Sequence, residues 1–328
     1  MKHLFYALGL FLCLCTLKPA DAAKQRYFQF TYTTTVTDIS VDAQKVQLWL
    51  PFPTSDAHQI IDDMRINSPY PIRITREPEY GNAILYIEAN VPLKTSAFSV
   101  QMQFTVLRKE YMSEESASQE LNKRLRQRLL QPDQLVPITG PIVQLSAQTT
   151  QGKQSPAAKS RAIYDFVTQT MIYDKSGVGW GRGDALYACD AKRGNCTDFH
   201  SLIIGMARAA NIPSLFEIGF PIPKDKSAGE IGGYHCWAEL YVDGKSWIPV
   251  DSSEASKYPE TFDYFYGNLC ENRVQFTKGR DLVLQPPQAG PPINYFIYPY
   301  VEVDGKTHDS VVKQFTFRDF PIPAWAKE

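Results

Sequence analysis

Apolar and polar residues alternate in short segments along the first third of the chain. The clearest segments cover residues 27–36, 45–50, 83–89 and 98–106, and turn-forming residues separate them. Alternation with a period of two places successive side chains on opposite faces of a sheet. Several short strands of this kind are typical of an antiparallel β-sandwich. We therefore predict a β-sandwich domain over residues 23–110 and assign no chemistry to it.

The pattern changes to a helical one after this region. Residues 113–130 are rich in Glu, Gln, Arg and Leu and stop before Pro132, and a short helix is expected near residues 142–149. We assign residues 111–154 as a helical connecting segment. Another helix is predicted to begin near Pro156, because proline suits the first helical turn. Its expected inner face consists of Ala162, Ile163, Phe166, Val167 and Thr170.

The strongest helical pattern follows Gly194. Asn211 and Pro213 predict where this helix ends, and Gly194 interrupts any element before it. Cys196 is therefore expected in the first turn, where free N–H groups and the helix dipole favour a thiolate. The apolar residues recur at intervals of three and four, as on a buried helix face; they are Phe199, Leu202, Ile203, Met206, Ala207 and Ala210.

Two later segments offer partners for this cysteine. His235 lies in the apolar run 233–242, Asp251 ends the run 247–251, and Asp243-Gly244 between them predicts a hairpin turn. Two adjacent antiparallel strands would set His235 and Asp251 side by side. A helix docked with its N-terminus at that edge would bring a cysteine to the imidazole. Nucleophile, base and orienting acid are the three parts that covalent catalysis by cysteine needs.

The order of these motifs resembles the transglutaminase-like superfamily. The motifs are Gly-Asn-Cys-x-Asp-Phe, Arg-Ala-Ala-Asn-Ile-Pro, His-x-Trp-x-Glu-x-Tyr and Trp-x-Pro-x-Asp, within residues 155–256. The resemblance implies an α+β fold with a papain-like, transglutaminase-like core, preceded here by the N-terminal antiparallel β-sandwich. It also implies a catalytic triad of Cys196, His235 and Asp251. Strands at residues 272–277 and 295–303 are expected to complete the papain-like sheet. Residues from 304 onward are expected to form a tail that packs back, and this domain is assigned to residues 155–328.

The resemblance also implies a chemistry. The thiolate would attack an amide carbonyl of a peptide or protein substrate, and water or an amine would resolve the thioester. For an exported bacterial type of this superfamily, a cysteine peptidase or amidase is favoured over cross-linking acyl transfer. The calcium-binding segments of the animal enzymes are not recognisable, so no cofactor is expected. The alternative is a non-catalytic binding or assembly protein that retains the fold.

Individual residues have competing interpretations. His200 lies one helical turn from Cys196 and is a second possible base. Helical side chains lean toward the N-terminus, so we expect it to support the site or touch substrate. Asp251 could instead cap the end of its strand, and Glu239 is a less suitable orienting group because it shares a strand with His235. Asp198 is expected to stabilise the helix N-terminus.

Two tryptophans are weaker candidates for contacts with substrate or for support of the triad. Trp180 lies in the glycine-rich loop 176–184 and could form a wall of the substrate cleft. The glycines of that loop would let it pass close to the helix that begins at Cys196. Trp237 follows the predicted base. The backbone N–H of Cys196 could donate to an oxyanion, and the sequence does not identify a second donor.

Composition limits the partners. The chain has 328 residues, of which 44% are hydrophobic, and a formal net charge of −1. This length favours two domains. A nucleic-acid partner is not expected, since it would require a basic patch. The oligomeric state stays open.

The N-terminus resembles a secretory signal peptide. Lys2-His3 precede an apolar run over residues 4–17, and Ala20-Asp21-Ala22 provides a small-x-small cleavage site. No lipobox surrounds the cysteines of this segment. We therefore assign residues 1–22 as a signal peptide and expect a secreted or periplasmic protein with no integral membrane segment after its removal.

Four cysteines remain beyond the predicted signal peptide. If Cys196 is a free nucleophile, Cys189, Cys236 and Cys270 can form at most one disulfide, and the sequence leaves the pairing open. Cys236 stands where the superfamily commonly has alanine and is interpreted as a small buried residue. A zinc site fits poorly, because the cysteine spacings match no zinc finger; its ligands would come from Cys189, Cys196, His200, His235 and Cys236.

Overall fold

The structure is a computed structural model, and it describes residues 23–90, 96–113, 120–242 and 246–326. The predicted signal peptide, most of the predicted hairpin turn and part of the helical stretch after residue 113 lie outside these ranges. The strands are β1 (Gln25–Val36), β2 (Lys45–Phe52), β3 (Gln59–Asn67), β4 (Ile72–Arg76), β5 (Ala83–Asn90), β6 (Phe98–Lys109), β7 (Tyr111–Met112), β8 (Ile172–Tyr173), β9 (Arg193–Gly194), β10 (Ser214–Pro221), β11 (Ala228–Glu230), β12 (His235–Val242), β13 (Ser246–Val250), β14 (Asn268–Leu269), β15 (Arg273–Lys278), β16 (Tyr300–Val303), β17 (Lys306–Thr307) and β18 (Val311–Asp319). The helices are α1 (Lys123–Arg128), α2 (Pro141–Thr149), α3 (Pro156–Thr170), α4 (Ala185–Ala191), α5 (Cys196–Ala209) and α6 (Ser252–Lys257).

Two five-stranded antiparallel sheets form the predicted sandwich. Their strand orders are β11-β18-β1-β6-β3 and β17-β16-β2-β5-β4. In β1 every second residue is buried, including Phe28, Phe30 and Tyr32, as the alternation predicted. The inward-facing residues of both sheets belong to one continuous apolar cluster. The prediction of antiparallel sheets at the N-terminus is confirmed.

The strand predicted over residues 295–303 does not complete the papain-like sheet, so this part of the prediction is wrong. The predicted tail after residue 304 also contains a strand of the sandwich. β18 pairs with β1 from Phe28↔Asp319 to Val36↔Val311, and β16 pairs with β2. An unpaired edge of β1 would leave a row of backbone N–H and C=O groups without partners. β18, near the end of the chain, supplies those partners. Its residues Phe315 and Phe317 also extend the apolar inner face of the sheet.

A separate four-stranded sheet carries the papain-like core. Its four strands are antiparallel in the order β13-β12-β10-β15, and α5 packs against β12 and β10. β15 completes this sheet as expected from residues 272–277. The end of α5 agrees with its prediction, since Asn211 adopts a left-handed conformation with φ 64°. The result is a mixed α+β fold in which one end of α5 reaches the edge of the sheet.

The helical prediction was less accurate elsewhere. The buried face of α3 is Ser160, Ile163, Tyr164, Val167 and Thr168, which shares only two residues with the predicted face. The difference arises because Tyr164 and Thr168 hydrogen-bond to the segment after β13, at Phe262 O and Ser252 Oγ. In the described residues, no helix is both long and apolar enough to span a membrane.

Candidate active site

The N-terminus of α5 is held by a capping box. The Asn195 side chain accepts the Thr197 N–H at 3.0 Å, and the Asp198 carboxylate accepts the Asn195 N–H at 2.9 Å. Cys196 is therefore the first helical residue, at the position that the pattern predicted, and it is 2% exposed. Its location at the positive end of the helix favours a negative charge on sulfur.

The buried Asp198 carboxylate also fixes the glycine-rich loop. It accepts N–H groups from Gly181 at 2.7 Å and Gly183 at 3.0 Å. Gly183 has φ +65°, and a Cβ there would lie 2.8 Å from Ser201 Oγ. Only glycine permits both this conformation and this close approach to α5. The loop next to Trp180 is thus attached to the helix that carries Cys196.

His235 and Asp251 meet at the edge of the four-stranded sheet. His235 Nε2 lies 2.7 Å from Asp251 Oδ2, and both side chains are buried. The other Asp251 oxygen accepts the Glu254 N–H at 3.1 Å and caps α6. The two interpretations of Asp251 are therefore compatible, because each carboxylate oxygen serves one of them.

The charges of the three groups support one another. Burial alone would raise the pKa of Cys196, but hydrogen bonds from Cys236 and His235 and the His235 charge lower it well below the usual thiol range. Burial would lower the pKa of His235, and the Asp251 carboxylate and Cys196 instead raise it to about 10. Burial opposes ionisation of Asp251 as well, yet the charge of His235 holds the pKa of its carboxyl far below the ordinary value. These directions favour a thiolate–imidazolium pair held by a carboxylate.

Arg273 is a buried partner of this group that the sequence did not reveal. Its Nη1 donates to Asp251 Oδ2 at 3.0 Å, and the guanidinium lies 4.8 Å from the centre of the Trp237 ring. The available signal was a charged residue at the start of β15, a strand whose residues from Arg273 to Thr277 are all buried. Its partner stands 22 positions earlier in the sequence, so sequence spacing alone gives no reason to pair the two.

The His200 ring connects the backbone of Cys196 with the backbone of Ser252. Its Nδ1 donates to the Cys196 carbonyl oxygen at 2.8 Å, and its Nε2 accepts the Ser252 N–H at 3.2 Å. These two bonds require the neutral ring, and burial lowers the pKa of His200 accordingly. His200 is fully buried.

The remaining candidates have different surroundings. Trp237 is fully buried and its indole N–H donates to Glu217 Oε2 at 2.6 Å, so it supports the sheet. Trp180 is half-buried. Glu239 belongs to a separate buried group, where burial and Glu217 raise its pKa to about 8. Among the described residues, no group of three or more His, Cys, Asp or Glu side chains could hold a metal ion.

The comparisons with known proteins agree with this geometry. Residues 143–252 match the family model for the transglutaminase-like superfamily. An uncharacterised protein of Haemophilus influenzae is 26% identical over 317 residues, covering 85% of this chain and 86% of that protein. The structure of a candidate cysteine protease from Cytophaga hutchinsonii superposes with a TM-score of 0.61 at 15% identity, covering 92% of each chain. The periplasmic domain of TgpA from Pseudomonas aeruginosa has a TM-score of 0.38 at 14% identity, over 75% of this chain and 98% of that domain. The chain therefore contains a transglutaminase-like core, which the family model matches over residues 143–252.

Proposed function

We propose that this protein is a cysteine enzyme that acts on amide bonds of peptides or proteins, as a peptidase or amidase in preference to a cross-linking acyltransferase. The observation that carries the proposal is the buried group of Cys196, His235 and Asp251, with 2.7 Å between His235 Nε2 and Asp251 Oδ2. The same three residue types in this arrangement activate nucleophiles on unrelated folds.

The proposed reaction has two halves, formation of a thioester and its hydrolysis, and each group acts in both. The Cys196 thiolate attacks the amide carbonyl, and the carbonyl oxygen takes up the negative charge. The Cys196 N–H belongs to the first turn of α5, where backbone N–H groups have no acceptor within the helix, and it would donate to that oxygen. His235 gives its proton to the departing amine, and the thioester remains. His235 then takes a proton from water, which attacks the thioester; this releases the acid product and restores the thiolate–imidazolium pair.

Asp251 acts through His235. Its carboxylate fixes the ring so that Nε2 faces the acid, which leaves Nδ1 for the sulfur of Cys196. It also stabilises the imidazolium that the first step consumes. Because Arg273 and the α6 N-terminus hold the same carboxylate, the ring orientation is fixed before substrate arrives.

We also propose that the protein is exported, as a secreted or periplasmic enzyme. The support is the sequence of residues 1–22, with two polar residues, an apolar run and a small-x-small site. Determining the N-terminal residue of the protein isolated from cells tests this proposal. A mature chain that begins at Ala23 is expected, and a chain that retains residues 1–22 would contradict it.

A substrate screen tests the enzymatic proposal. The purified protein is incubated with peptide amides and glutamine-containing proteins, with and without an added primary amine, and products are identified by mass spectrometry. Wild-type protein is expected to release amine or ammonia in water, and Cys196→Ala is expected to lose this activity completely. Cys189→Ala is the matched control, because Cys189 is a half-buried residue of α4 outside the triad. Turnover that survives in Cys196→Ala would overturn the proposal.

A further inference from the structure

A second cysteine lies close to the helix turn that carries the proposed nucleophile. Cys236 follows His235 on β12, is fully buried, and faces α5, where its Sγ lies 3.7 Å from His200 Nδ1. The same Nδ1 is 2.8 Å from the carbonyl oxygen of Cys196. The His200 ring therefore places the Cys236 sulfur beside the first turn of α5, where Cys196 lies, and both cysteines are free.

The two thiols are chemically unequal. Cys196 has the helix N-terminus and the imidazole of His235 beside it, the environment that makes a cysteine a nucleophile and the first site of oxidation. Cys236 is completely buried among apolar residues and stays protonated, since burial raises its pKa well above the usual value. Such a pair combines a reactive cysteine with a neighbouring resolving cysteine.

We propose that Cys196 and Cys236 form a reversible oxidation site that reacts with peroxides. The Cys196 thiolate attacks the O–O bond of a peroxide, which yields Cys196 sulfenic acid and an alcohol or water. The Cys236 thiol then attacks the sulfenic sulfur and forms the S–S bond, the S–O bond breaks, and the thiol proton leaves with the hydroxyl group as water. The peroxide takes up the two electrons that the thiols lose, and a dithiol returns them when it reduces the disulfide.

The position of Cys236 determines what this oxidation does. A disulfide ties the first residue of α5 to β12, and it removes the sulfur that would attack substrate. It also stops oxidation before the sulfinic and sulfonic acids, which thiols do not reduce. A contact between thiols is longer than an S–S bond of about 2.05 Å, so the sulfurs must approach each other by a small side-chain movement.

The other described cysteines are placed differently. Cys270 lies 3.5 Å from Arg273 Nη2, and Cys189 is a half-buried residue of α4. The proposal therefore predicts one specific pairing and does not depend on whether the protein turns over an amide substrate.

The test is peptide mapping after oxidation. The purified protein is treated with a small excess of hydrogen peroxide, blocked with iodoacetamide and digested without reductant. We expect a cross-linked peptide that joins Cys196 to Cys236, with two hydrogens fewer than the separate peptides. Dithiothreitol is expected to restore iodoacetamide labelling of Cys196 to at least nine-tenths of its starting level, about the fraction that a stoichiometric disulfide returns.

Two variants make the result specific. In Cys236→Ala and Cys236→Ser we expect peroxide to carry Cys196 to sulfinic acid, so that dithiothreitol no longer restores labelling. Cys189→Ser is the matched control and should behave like wild type. Circular dichroism of each variant shows whether it is folded, and two substitutions at Cys236 guard against one of them failing to fold. Cys196 sulfinic acid in wild type without the cross-link, or a cross-link to Cys189 or Cys270, would overturn the proposal.

Discussion

At the scale of single residues, the Asp251 carboxylate has the largest set of partners in the site. His235 Nε2 and Arg273 Nη1 share one of its oxygens, while the Glu254 N–H and the Ser253 hydroxyl reach the other. A carboxylate buried with this many donors stays ionised, because each hydrogen bond stabilises the charged form. Its charge in turn keeps His235 protonated, which is the condition for a thiolate on Cys196 at neutral pH.

The raised pKa of His235 predicts a particular pH dependence. A histidine whose pKa in the folded protein is about 10 remains an imidazolium throughout neutral pH and loses its proton only above that value. Turnover is then expected to fall above about pH 10, because the departing amine lacks its acid. Alkylation of Cys196 by iodoacetamide is not expected to fall there, since the thiolate remains. Turnover and alkylation are measured in parallel as a function of pH, which separates loss of the His235 proton from loss of the thiolate. Alkylation that rises through a single step near the ordinary thiol pKa of about 8.5 would contradict the ion pair.

Arg273 is predicted to be a positioning residue. Arg273→Met removes a positive charge from the Asp251 carboxylate, so the acidic limb of the kcat/KM profile should move to higher pH and kcat should fall about 10-fold. Arg273→Lys keeps the charge and is expected to return the acidic limb toward its wild-type position. A purely structural role would reduce the folded fraction, measured by circular dichroism, and leave the limb where it is in both variants.

The residues of the proposed triad each lie in a local motif of the sequence, whereas the residues that support them do not. Cys196, His235 and Asp251 each lie in a local motif whose secondary structure is readable. Arg273 and the neutral state of His200 depend on contacts made across the fold, and no local pattern encodes those. Asp251 shows the same limit, because the sequence presents orientation of His235 and helix capping as alternatives, whereas separate carboxylate oxygens serve each role.

At the scale of secondary-structure elements, the N-terminus of α5 is the part that positions the chemistry. The Asn195–Asp198 capping box fixes where the helix begins, and Asp198 extends that role to the glycine-rich loop. The Asn195 side-chain amide also donates to the Tyr234 hydroxyl at 3.0 Å. This bond connects the residue before Cys196 with the residue before His235, so the helix start and the start of β12 are held together.

Asp198→Asn is predicted to destabilise the protein by about 1–3 kcal/mol. The carboxylate accepts three N–H groups through two oxygens, whereas an amide has one oxygen and an NH2 group that would face one of these donors. The measurement is a denaturant unfolding curve. Asp184→Asn is the matched control: Asp184 caps α4 through one oxygen, and asparagine caps a helix about as well as aspartate. Equal stabilities for the two variants would contradict the role assigned to Asp198.

Elements with a clear periodicity were predictable, and those defined by long-range contacts were not. The strands β1, β2, β5 and β6 and the helix α5 follow from the spacing of their apolar residues. The buried face of α3 does not follow from such spacing. It is set by contacts of Tyr164 and Thr168 with residues about 90 positions later in the chain.

At the scale of the whole molecule, the sandwich and the papain-like core share one apolar interior. Phe30 of β1 packs against Phe220 of β10 with ring centres 5.3 Å apart, and Phe220 packs against Phe315 of β18 at 4.4 Å. The chain therefore closes through its C-terminal strand onto both parts. Sequence order suggested that this strand belongs with the papain-like core, and pairing between distant strands is the information that a single sequence lacks.

Phe315→Ala is predicted to lower the free energy of unfolding by about 3–5 kcal/mol, since it leaves a cavity where the two parts meet. Because the interior is continuous, unfolding should remain a single transition in which tryptophan fluorescence and circular dichroism coincide. Phe320→Ala is the control, because Phe320 is 37% exposed and its loss should cost less than about 1 kcal/mol. Two separate transitions in Phe315→Ala, one for each part, would contradict a shared core.

The central claim is that His235 keeps Cys196 as a thiolate, and alkylation near neutral pH tests it most directly. The protein is treated with iodoacetamide at about pH 6, where an ordinary thiol is almost fully protonated, and labelling of each cysteine is followed by mass spectrometry. We predict rapid and selective labelling of Cys196 in wild type and in the control His308→Ala, and labelling at least about 10-fold slower in His235→Ala. If Cys196 reacts no faster than Cys189, or equally fast without His235, the proposed catalytic site is wrong.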